Sequence, residues 1–564
     1  MGSKIDDRPS VTLTQGTVVG TVVKDDIPRP IEAFRGIPYA LPPTGDRRFR
    51  PPVKVEPSTA TIDASKFGAV APGKQLFPGG PKFEYSEDCL TANVFRPQTR
   101  NGDKQLLPVA VYIHGGAFNR GTSMMHNTPS FLANSGQDLV AVSFNYRIGA
   151  LGFLPSSMSY EQGALNLGLK DQLLLLEWVR DNITAFGGDP NNVTLFGISA
   201  GGHSVSPHSL FPKSACTNTS FQIGHILMQD EGQTSPPLFH KVILESGAPT
   251  SRAVRPYSAP IHEAQFADFL KETGCPSGLS SAETFAYLRS APSEKVQAAQ
   301  IAVFDKYNPS LRWAFQPVID GEVIPRTPME SWRLNKWRKV PIMTGFNRNE
   351  GSIYINKSVS KSEEFTKFFA DLLPLLSKED VETIDKLYPD PLTVSDSPYK
   401  EELEGTGAQY RRLEIAYGQY AYVAPVRQTA ELASKSTEEP VYLYQWGLES
   451  SLLDRARHGE NMYYETCEPS KTKISATQKE LCLTYNAYIT SFIASGDPNA
   501  TKGSAPDRPV WERYRSESPK AMVFGEENKE LIGGPAGVPA RLHDDTWARK
   551  ESEFWWSKVD VSQQ

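Results

Sequence analysis

Short apolar runs alternate with helical spacing through the first half of the chain. The run from Leu107 to His114 is almost entirely apolar and ends at Gly115-Gly116, which is typical of a buried strand entering a tight loop. Between Asn166 and Ile183 apolar residues recur at the spacing of a helix. Strands that alternate with helices predict right-handed β-α-β crossovers, and therefore a mostly parallel, doubly wound sheet with helices on both faces. Three later runs are also predicted as strands: residues 139–144, 193–196 and 241–246.

Two regions lie outside this alternation. Apolar residues at helical spacing between Ser362 and Leu387 predict helices over an edge of the sheet, and we interpret about 355–410 as a helical cap with a regulatory role. The segment 211–238 is polar and rich in Pro, Ser and Thr, which is typical of a surface insertion. No internal repeat is apparent, so residues 1–564 are predicted to form a single α/β domain.

Composition excludes several classes of protein. With 39% hydrophobic and 22% charged residues, the chain can bury a sizeable core. Its net charge of −6 gives no diffuse attraction to phosphate backbones, so a nucleic-acid partner is not expected. The longest apolar stretches are far too short to span a bilayer. The pattern predicts neither a membrane span nor a particular oligomeric state.

The chain start and the cysteines bear on location and cofactors. Residues Met1 to Gln15 are polar and lack the apolar core of a secretory signal, which predicts a cytoplasmic protein, or a secreted one if a leader has been removed. The five cysteines are widely spaced and form no metal-type pair, which favours reduced thiols. We therefore expect no metal and no cofactor.

Residues Gly197 to Gly201 fit the pattern Gly-x-Ser-x-Gly, with Ser199 at its centre. The string stands where a predicted strand meets a predicted helix, as in the nucleophile elbow of α/β-hydrolases. In such an elbow the serine occupies a strained turn, and the flanking glycines let the neighbouring backbone pack closely. By itself the string could be a Gly-rich turn, but its context favours Ser199 as a nucleophile in an α/β-hydrolase fold.

A serine hydroxyl needs a neutral imidazole to accept its proton and a carboxylate to orient that imidazole. The order expected for this fold is serine, then acid, then histidine, and this order alone does not choose among the histidines after Ser199. The candidates are His203, His208, His225, His240, His262, His458 and His543.

A tetrahedral intermediate also needs backbone N–H donors for its oxyanion. The segment from His114 to Phe118 follows an earlier strand and contains small residues that keep amides accessible. We predict an oxyanion hole made by the amides of Gly116, Ala117 and Ala200. A simple turn at Gly115-Gly116 is the alternative.

Taken together, these segments closely resemble the type B carboxylesterase/lipase family, to which cholinesterases and several fungal lipases belong. The similarity covers nearly the whole chain, and its markers follow the family's usual order. They are residues 34–40, 86–90, 145–147, 168–172, 186–190, 245–247 and 492–499. The resemblance implies an α/β-hydrolase fold, a small-molecule ester substrate and no cofactor.

The resemblance also names the remaining members of a catalytic triad. Residues 345–351 match the family segment whose Glu orients the catalytic His, which makes Glu350 the acid. Residues 456–459 match the family's His-Gly segment, which makes His458 the base. Arg48 and Glu87 resemble the family's structural ion pair, a part of the scaffold.

Several departures from the family pattern carry information. Ile198 stands where the family usually has Glu, and Asn349 stands where it has Asp. Partners of three family disulfides are missing, including those of Cys89 and Cys275, which favours an intracellular protein. No Trp precedes Ser86 to bind a quaternary ammonium group, so a choline ester is not expected. An apolar substrate pocket is predicted from Phe77, Phe83, Phe118 and Ile198.

These observations predict a serine carboxylic-ester hydrolase. Ser199, assisted by His458 and Glu350, would form an acyl-enzyme from a small to medium apolar ester, and water would release the acid. Ile198 would place a less polar wall beside the acyl-enzyme, which would disfavour attack by water. An acyltransferase or a cyclising enzyme with the same triad is therefore an alternative. A non-catalytic binding member of the family is a second alternative, which the intact set of Ser, Glu and His disfavours.

Overall fold

The structure, a computed structural model, describes residues 8–75, 82–98, 105–203, 227, 236–251, 254–401 and 403–562. Within these ranges it contains fourteen strands in two sheets. Strands β1 to β14 are Ser10–Leu13, Gly16–Val19, Thr21–Val23, Ile31–Pro38, Thr61–Asp63, Thr91–Pro97, Leu107–Ile113, Val140–Phe144, Gly188–Ile198, Lys241–Glu245, Ile342–Asn347, Val441–Trp446, Lys520–Glu526 and Val538–Asp544.

The larger sheet has eleven strands in the order β14-β13-β12-β11-β10-β9-β7-β8-β6-β4-β3. Its centre, from β8 to β13, is parallel, whereas the remaining neighbours at both edges pair antiparallel. Strands β1, β2 and β5 form a separate small sheet. The mostly parallel sheet predicted from the sequence is therefore confirmed.

Helices connect the parallel strands and cover the sheet. Helices α1 to α18 are Thr128–Asn134, Gly149–Gly152, Ser157–Glu161, Leu167–Asn182, Ala200–His203, Pro260–Thr273, Ser281–Ser290, Ser293–Tyr307, Pro328–Arg333, Ser362–Leu372, Lys378–Leu387, Tyr410–Gly418, Ala424–Ser436, Asn461–Glu465, Pro469–Thr472, Ala476–Ser495, Arg549–Ser557 and Val559–Ser562. A π-helical turn, Gln419–Val423, joins α12 to α13. Among the described residues, no helix is both long and apolar enough to cross a bilayer.

The sheet separates two apolar cores because successive strand residues face opposite sides. On β7, for example, Val109 and Val111 belong to one core while Ala110 and Tyr112 belong to the other. Central strands β8, β10, β11 and β12 are buried along their whole length, as expected for a parallel sheet covered on both faces. The sequence pattern located these strands as apolar runs for this reason.

A third apolar cluster joins the predicted cap region to the body of the protein. Helices α10 and α11 lie inside residues 355–410, and their Phe365, Phe369 and Ile384 are fully or almost fully buried. They share this cluster with Ala117 and Trp313. The predicted insertion at 211–238 lies mostly outside the described residues.

The predicted ion pair and free thiols are present. Arg48 binds both carboxylate oxygens of buried Glu87 at 2.7 Å and also donates to the carbonyls of Leu288 and Ala291. The pair therefore fixes the loop near residue 87 against the end of α7. The four described cysteines, Cys89, Cys275, Cys467 and Cys482, form no disulfide.

Candidate active site

Five neighbouring strands bring the predicted site residues to one edge of the sheet. In the order β12-β11-β10-β9-β7, the strands are parallel neighbours, so their carboxyl ends meet at the same edge. Ser199 directly follows β9, and Glu350 follows β11 by a short loop. His458 lies on the connection after β12, and the segment 114–118 follows β7. Residues far apart in sequence thus converge because of sheet topology.

Ser199 stands in a strained turn between β9 and α5. Its φ is +58°, in the left-handed region that non-glycine residues rarely adopt. The turn is held by a hydrogen bond of 2.9 Å from the Ser199 N–H to the Glu245 carbonyl at the end of β10. Ser199 itself is partly exposed, while Ile198 and Ala200 on either side are buried. This is the geometry predicted for a nucleophile elbow.

Both glycines of the elbow are required by one neighbouring carbonyl. A Cβ on Gly197 would lie 2.5 Å from the Ile113 oxygen, and a Cβ on Gly201 would meet the same oxygen closer still. Real Cβ atoms do not approach a carbonyl oxygen so closely, so any larger residue would displace β9 or α5 from β7. Gly-x-Ser-x-Gly is therefore a packing requirement here as well as a motif.

Glu350 and His458 contact each other through two loops that are joined by their backbones. The Asn349 N–H donates to the Ala456 carbonyl at 3.0 Å, and the Asn347 side chain donates to the Arg457 carbonyl at 2.6 Å. His458 Nδ1 hydrogen-bonds Glu350 Oε2. The other carboxylate oxygen accepts the Asn347 N–H at 2.7 Å. Glu350 is fully buried, so these contacts fix its orientation.

The second ring nitrogen of His458, Nε2, is the atom of this side chain that could accept a proton. His458 Nε2 is shielded from solvent and has no hydrogen-bond partner among the described residues. The rings of Tyr422 and Tyr354 lie 4.6 and 5.5 Å from the His458 ring. Ile198 Cδ1 lies 3.6 Å from the position of a Cβ on Gly459, so the residue before Ser199 packs beside the residue after His458. Sequence reasoning missed the two tyrosines, which no motif marks.

The segment after β7 lies against Ser199. A Cβ on Gly115 would lie 3.0 Å from the Ser199 Cβ. The Gly115 carbonyl contacts His114 Nδ1 at 2.9 Å, and the Gly116 carbonyl accepts the N–H groups of Asn119 and Arg120 at 3.1 Å. Because a trans peptide is planar, each of these carbonyls fixes the following N–H in the opposite direction. The Gly116 and Ala117 amides are thus held rigidly.

The four residues predicted to line a pocket differ in their surroundings. Ile198 is buried beside Gly459, as described above. Phe118 is 3% exposed and packs edge-on against Phe153 at 5.0 Å, so it belongs largely to the core. Phe83 is half-buried in a small cleft that also includes Gly121 and Ile148. Phe77 lies outside the described residues.

The remaining histidines have other surroundings. His240 Nδ1 accepts the Val193 N–H, and His543 lies beside Glu526 on β13. His262 lies in the first turn of α6 and lines a separate cleft. His208 and His225 lie outside the described residues, as does the His203 side chain. Of the histidine side chains that the structure describes, His458 is the one that contacts Glu350.

A second His–Glu contact lies buried behind the elbow. His126 Nε2 is 3.2 Å from Glu465 Oε1, and His126 Nδ1 is 3.0 Å from the Thr128 hydroxyl. Burial lowers the pKa of His126 to about 3 and raises the pKa of Glu465 to about 8. Both groups are therefore neutral near pH 6, so the contact is a hydrogen bond between uncharged groups.

Glu245 connects this buried region to the candidate triad. Its Oε1 accepts from Tyr444, Tyr485 and Asn461 at 3.1, 3.0 and 2.9 Å. Burial, followed by the charge of Glu465, raises the pKa of Glu245 well above its usual range. Asn461 in turn accepts from the Asn347 side chain at 3.2 Å. A polar network therefore supports the loop that carries Glu350.

Comparison with known proteins identifies the family. Residues 7–542 match the carboxylesterase family. The chain is 32% identical over 555 residues to secreted lipase 4 of Gibberella zeae, covering 98% of this chain and 92% of the relative. It is 30% identical to lipase 1 of Geotrichum candidum, covering 91% of each chain. A solved structure named PNB esterase superposes with a TM-score of 0.74 and 26% identity, covering 97% of this chain and 100% of that one.

The chain belongs to the carboxylesterase family. It is accordingly an ester hydrolase with the α/β-hydrolase fold, acting on small-molecule esters, and the family resemblance read from the sequence is confirmed. The first of these relatives is named as a secreted lipase, which conflicts with the cytoplasmic location predicted above.

Proposed function

We propose that this esterase works through an acyl-enzyme on Ser199, with His458 as the base and Glu350 as the acid. The observation that carries the proposal is the contact of buried Glu350 with His458 Nδ1, while His458 Nε2 has no partner in the described part of the chain. With Nδ1 held as the donor, Nε2 is the nitrogen able to accept the Ser199 proton. Glu350 then stabilises the imidazolium that forms.

The oxyanion of each tetrahedral intermediate is stabilised by the amides of Gly116, Ala117 and Ala200 in this proposal. The rigid peptides after β7 and their closeness to Ser199 support the assignment. Ala117 and Phe118 both have positive φ, at +54° and +61°. Such consecutive strain in non-glycine residues is typical of backbone held for function. Each donor is expected to contribute about 3 kcal/mol to the lowering of the barrier.

The proposed substrate is a small to medium ester whose reacting part is apolar. Ile198 supplies an apolar wall beside His458, which supports this choice. Residues 355–410 act as a cap, because α10 and α11 share an apolar cluster with Ala117 of the proposed oxyanion loop. Relatives named as lipases and esterases do not favour acyl transfer, cyclisation or a binding-only role.

Hydrolysis of 4-nitrophenyl butyrate by the wild type and by Ser199→Ala tests the proposal. We expect Ser199→Ala to lose at least 10³-fold in kcat with an unchanged melting temperature. Ser246→Ala is the matched control, because Ser246 also follows a central strand at positive φ but is fully buried. Ser246→Ala should retain turnover. Substantial turnover by a folded Ser199→Ala protein would refute the proposed role of Ser199.

A further inference from the structure

A partly open cleft lies beside the proposed oxyanion loop. The space inside it that a water-sized group can occupy is about 60 Å³, and the cleft opens to solvent at its mouth. Its polar lining comes from the loop before α6, from α6, from the segment 311–316 and from the π-helical turn. We call it the arginine cleft, and its polar residues include Arg255, His262, Gln265, Arg312, Gln316 and Tyr420.

Two arginines give the arginine cleft an uncompensated positive charge. Its described lining includes Arg255 and Arg312 but no Asp or Glu. Neither arginine forms an ion pair within the described part of the chain. Arg312 Nε is shielded from solvent and has no hydrogen-bond partner there. Burial, with a smaller effect of Arg312, lowers the pKa of Arg255. Burying a hydrogen-bond donor without a partner costs free energy, and a bound anion would remove that cost.

A buried histidine adds to the same cleft. His262 is 5% exposed and lines the cleft, yet neither of its ring nitrogens has a hydrogen-bond partner among the described residues. Gln265 Nε2 donates to the Arg312 carbonyl at 3.0 Å, whereas Gln265 Oε1 has no partner among the described residues. Burial and Arg255 lower the pKa of His262 to about 4, so the ring is neutral at pH 7 and offers one N–H donor.

The arginine cleft adjoins the proposed catalytic residues on two sides. Gln316 donates from Nε2 to the Ala117 carbonyl at 3.1 Å. On the other side, Trp313 and Tyr417 of the cleft wall lie 5.6 and 5.8 Å from the Tyr354 ring, which in turn lies 5.5 Å from His458. A lining residue of the cleft therefore contacts the oxyanion loop directly, and one residue, Tyr354, lies between the lining and the base.

We infer that the arginine cleft binds a carboxylate of the ester substrate, several bonds away from the carbonyl that Ser199 attacks. The planar guanidinium groups of Arg255 and Arg312 match a carboxylate in geometry and charge, and His262 supplies a further donor. The apolar wall at Ile198 faces the reacting part of the ester, and the charged end is held in the cleft. The preferred substrates are then monoesters of dicarboxylic acids or esters of hydroxy acids. This inference rests on the function proposed above.

Matched pairs of esters test the inference. For a charge on the acyl side, mono-4-nitrophenyl adipate is compared with 4-nitrophenyl hexanoate; for a charge on the alcohol side, 6-butyryloxyhexanoate is compared with hexyl butyrate. The wild type should favour the anionic member of at least one pair in kcat/KM, and added NaCl should reduce this preference. Arg312→Gln and Arg255→Gln should each reduce it about tenfold or more, chiefly through KM, while leaving the neutral esters within about threefold.

Arg333→Gln is the control, since it removes one positive charge from an exposed residue paired with Asp560. It should leave both ratios unchanged. If the wild type hydrolyses neutral esters but shows no preference for the anionic member of either pair, the inference is overturned while the proposed function stands. A preference that survives in both arginine variants would also overturn the inference. Failure to hydrolyse any ester, neutral or anionic, would instead overturn the proposed function.

Discussion

Two of the His–Glu contacts in the described part of the protein have opposite surroundings. His458 bonds Glu350 through Nδ1, and its Nε2 has no partner among the described residues. Gly459, the residue after it, packs beside Ile198, the residue before the partly exposed Ser199. His126 has both ring nitrogens in contact, one with Glu465 and one with Thr128, and its side chain is fully buried. A His–Glu contact alone does not make a base. A base also needs a second nitrogen that is free and lies near a nucleophile.

Burial explains why the contact between His126 and Glu465 is suited to a structural role. Desolvation favours the neutral forms of both His126 and Glu465, so neither proton moves easily near neutral pH. The His126 ring stacks on Tyr112 at 4.6 Å and is surrounded by Phe131 and Phe196. We therefore expect this contact to support the core, and the contact at His458 to support turnover.

Replacing each histidine in turn should give the largest difference in kcat between the two contacts. His458→Ala should reduce kcat by about 10⁴-fold or more, because no base remains to accept the Ser199 proton. His126→Asn should lower the free energy of unfolding by about 2 to 4 kcal/mol and leave kcat per folded molecule within severalfold. Ester hydrolysis and urea unfolding on both variants make the comparison. An inactive but stable His126→Asn protein would contradict it.

Neutralising each carboxylate should give the next largest difference. Glu350→Gln should lower kcat by about 10³- to 10⁴-fold, since an amide no longer holds the required tautomer of His458. Glu465→Gln should change kcat little, because Glu465 is already neutral up to about pH 8. Steady-state kinetics at pH 7 test both. Equal losses in the two variants would place Glu465 in the catalytic chain and refute the distinction.

The buried contact should also affect how stability depends on pH. The folded protein keeps a proton on Glu465 up to about pH 8, whereas the unfolded chain releases it near 4.5. This contribution is complete below pH 4.5 and is lost as the pH rises toward 8, by about 1 kcal/mol per pH unit. Glu465→Gln should therefore gain stability relative to the wild type between pH 5 and 8.

Urea unfolding at pH 5, 6.5 and 8 measures this slope. Exposed Glu480 on α16 provides the control, and Glu480→Gln should follow the wild type at each pH. Parallel curves for the wild type and Glu465→Gln would mean that Glu465 is ionised in the folded protein.

Deleting one hydroxyl should give the smallest effect. Thr128→Val removes the 3.0 Å contact with His126 Nδ1 but keeps the side-chain volume. We expect a loss of about 1 kcal/mol in the free energy of unfolding, with kcat unchanged. Thermal unfolding and steady-state kinetics test this, and a kcat reduced more than threefold would show that the two contacts are coupled.

Local patterns in the sequence predicted the frame of the site well. The apolar run 107–114 corresponds to β7, Leu107–Ile113, and the helical spacing from 166 to 183 corresponds to α4, Leu167–Asn182. The hydrophobic periodicity of a segment, and the Gly and Pro residues that end it, determine such elements locally. The strand predicted at 193–196 instead extends over Gly188–Ile198, because pairing with β7 and β10 continues beyond its apolar centre.

Features made by distant residues could not be predicted in this way. Glu465 lies 339 residues from His126, and Arg312 lies 57 residues from Arg255, with no motif connecting either pair. The sheet topology brings the first pair together, and the packing of α6 against α8 brings the second pair together. Neither the hydrophobic periodicity nor the local spacing of residues in the sequence records such contacts. The triad was predicted only because a family resemblance carried Glu350 and His458 to their positions, whereas residue order alone left seven histidines open.

The central claim is that Ser199 forms the covalent intermediate. Labelling the folded protein with a fluorophosphonate, followed by peptide mass spectrometry, tests this most directly. We predict one adduct per chain, on the peptide that contains Ser199, with no adduct in Ser199→Ala and strongly slowed labelling in His458→Ala. A label on another residue, or an unlabelled protein that still hydrolyses esters, would contradict the account.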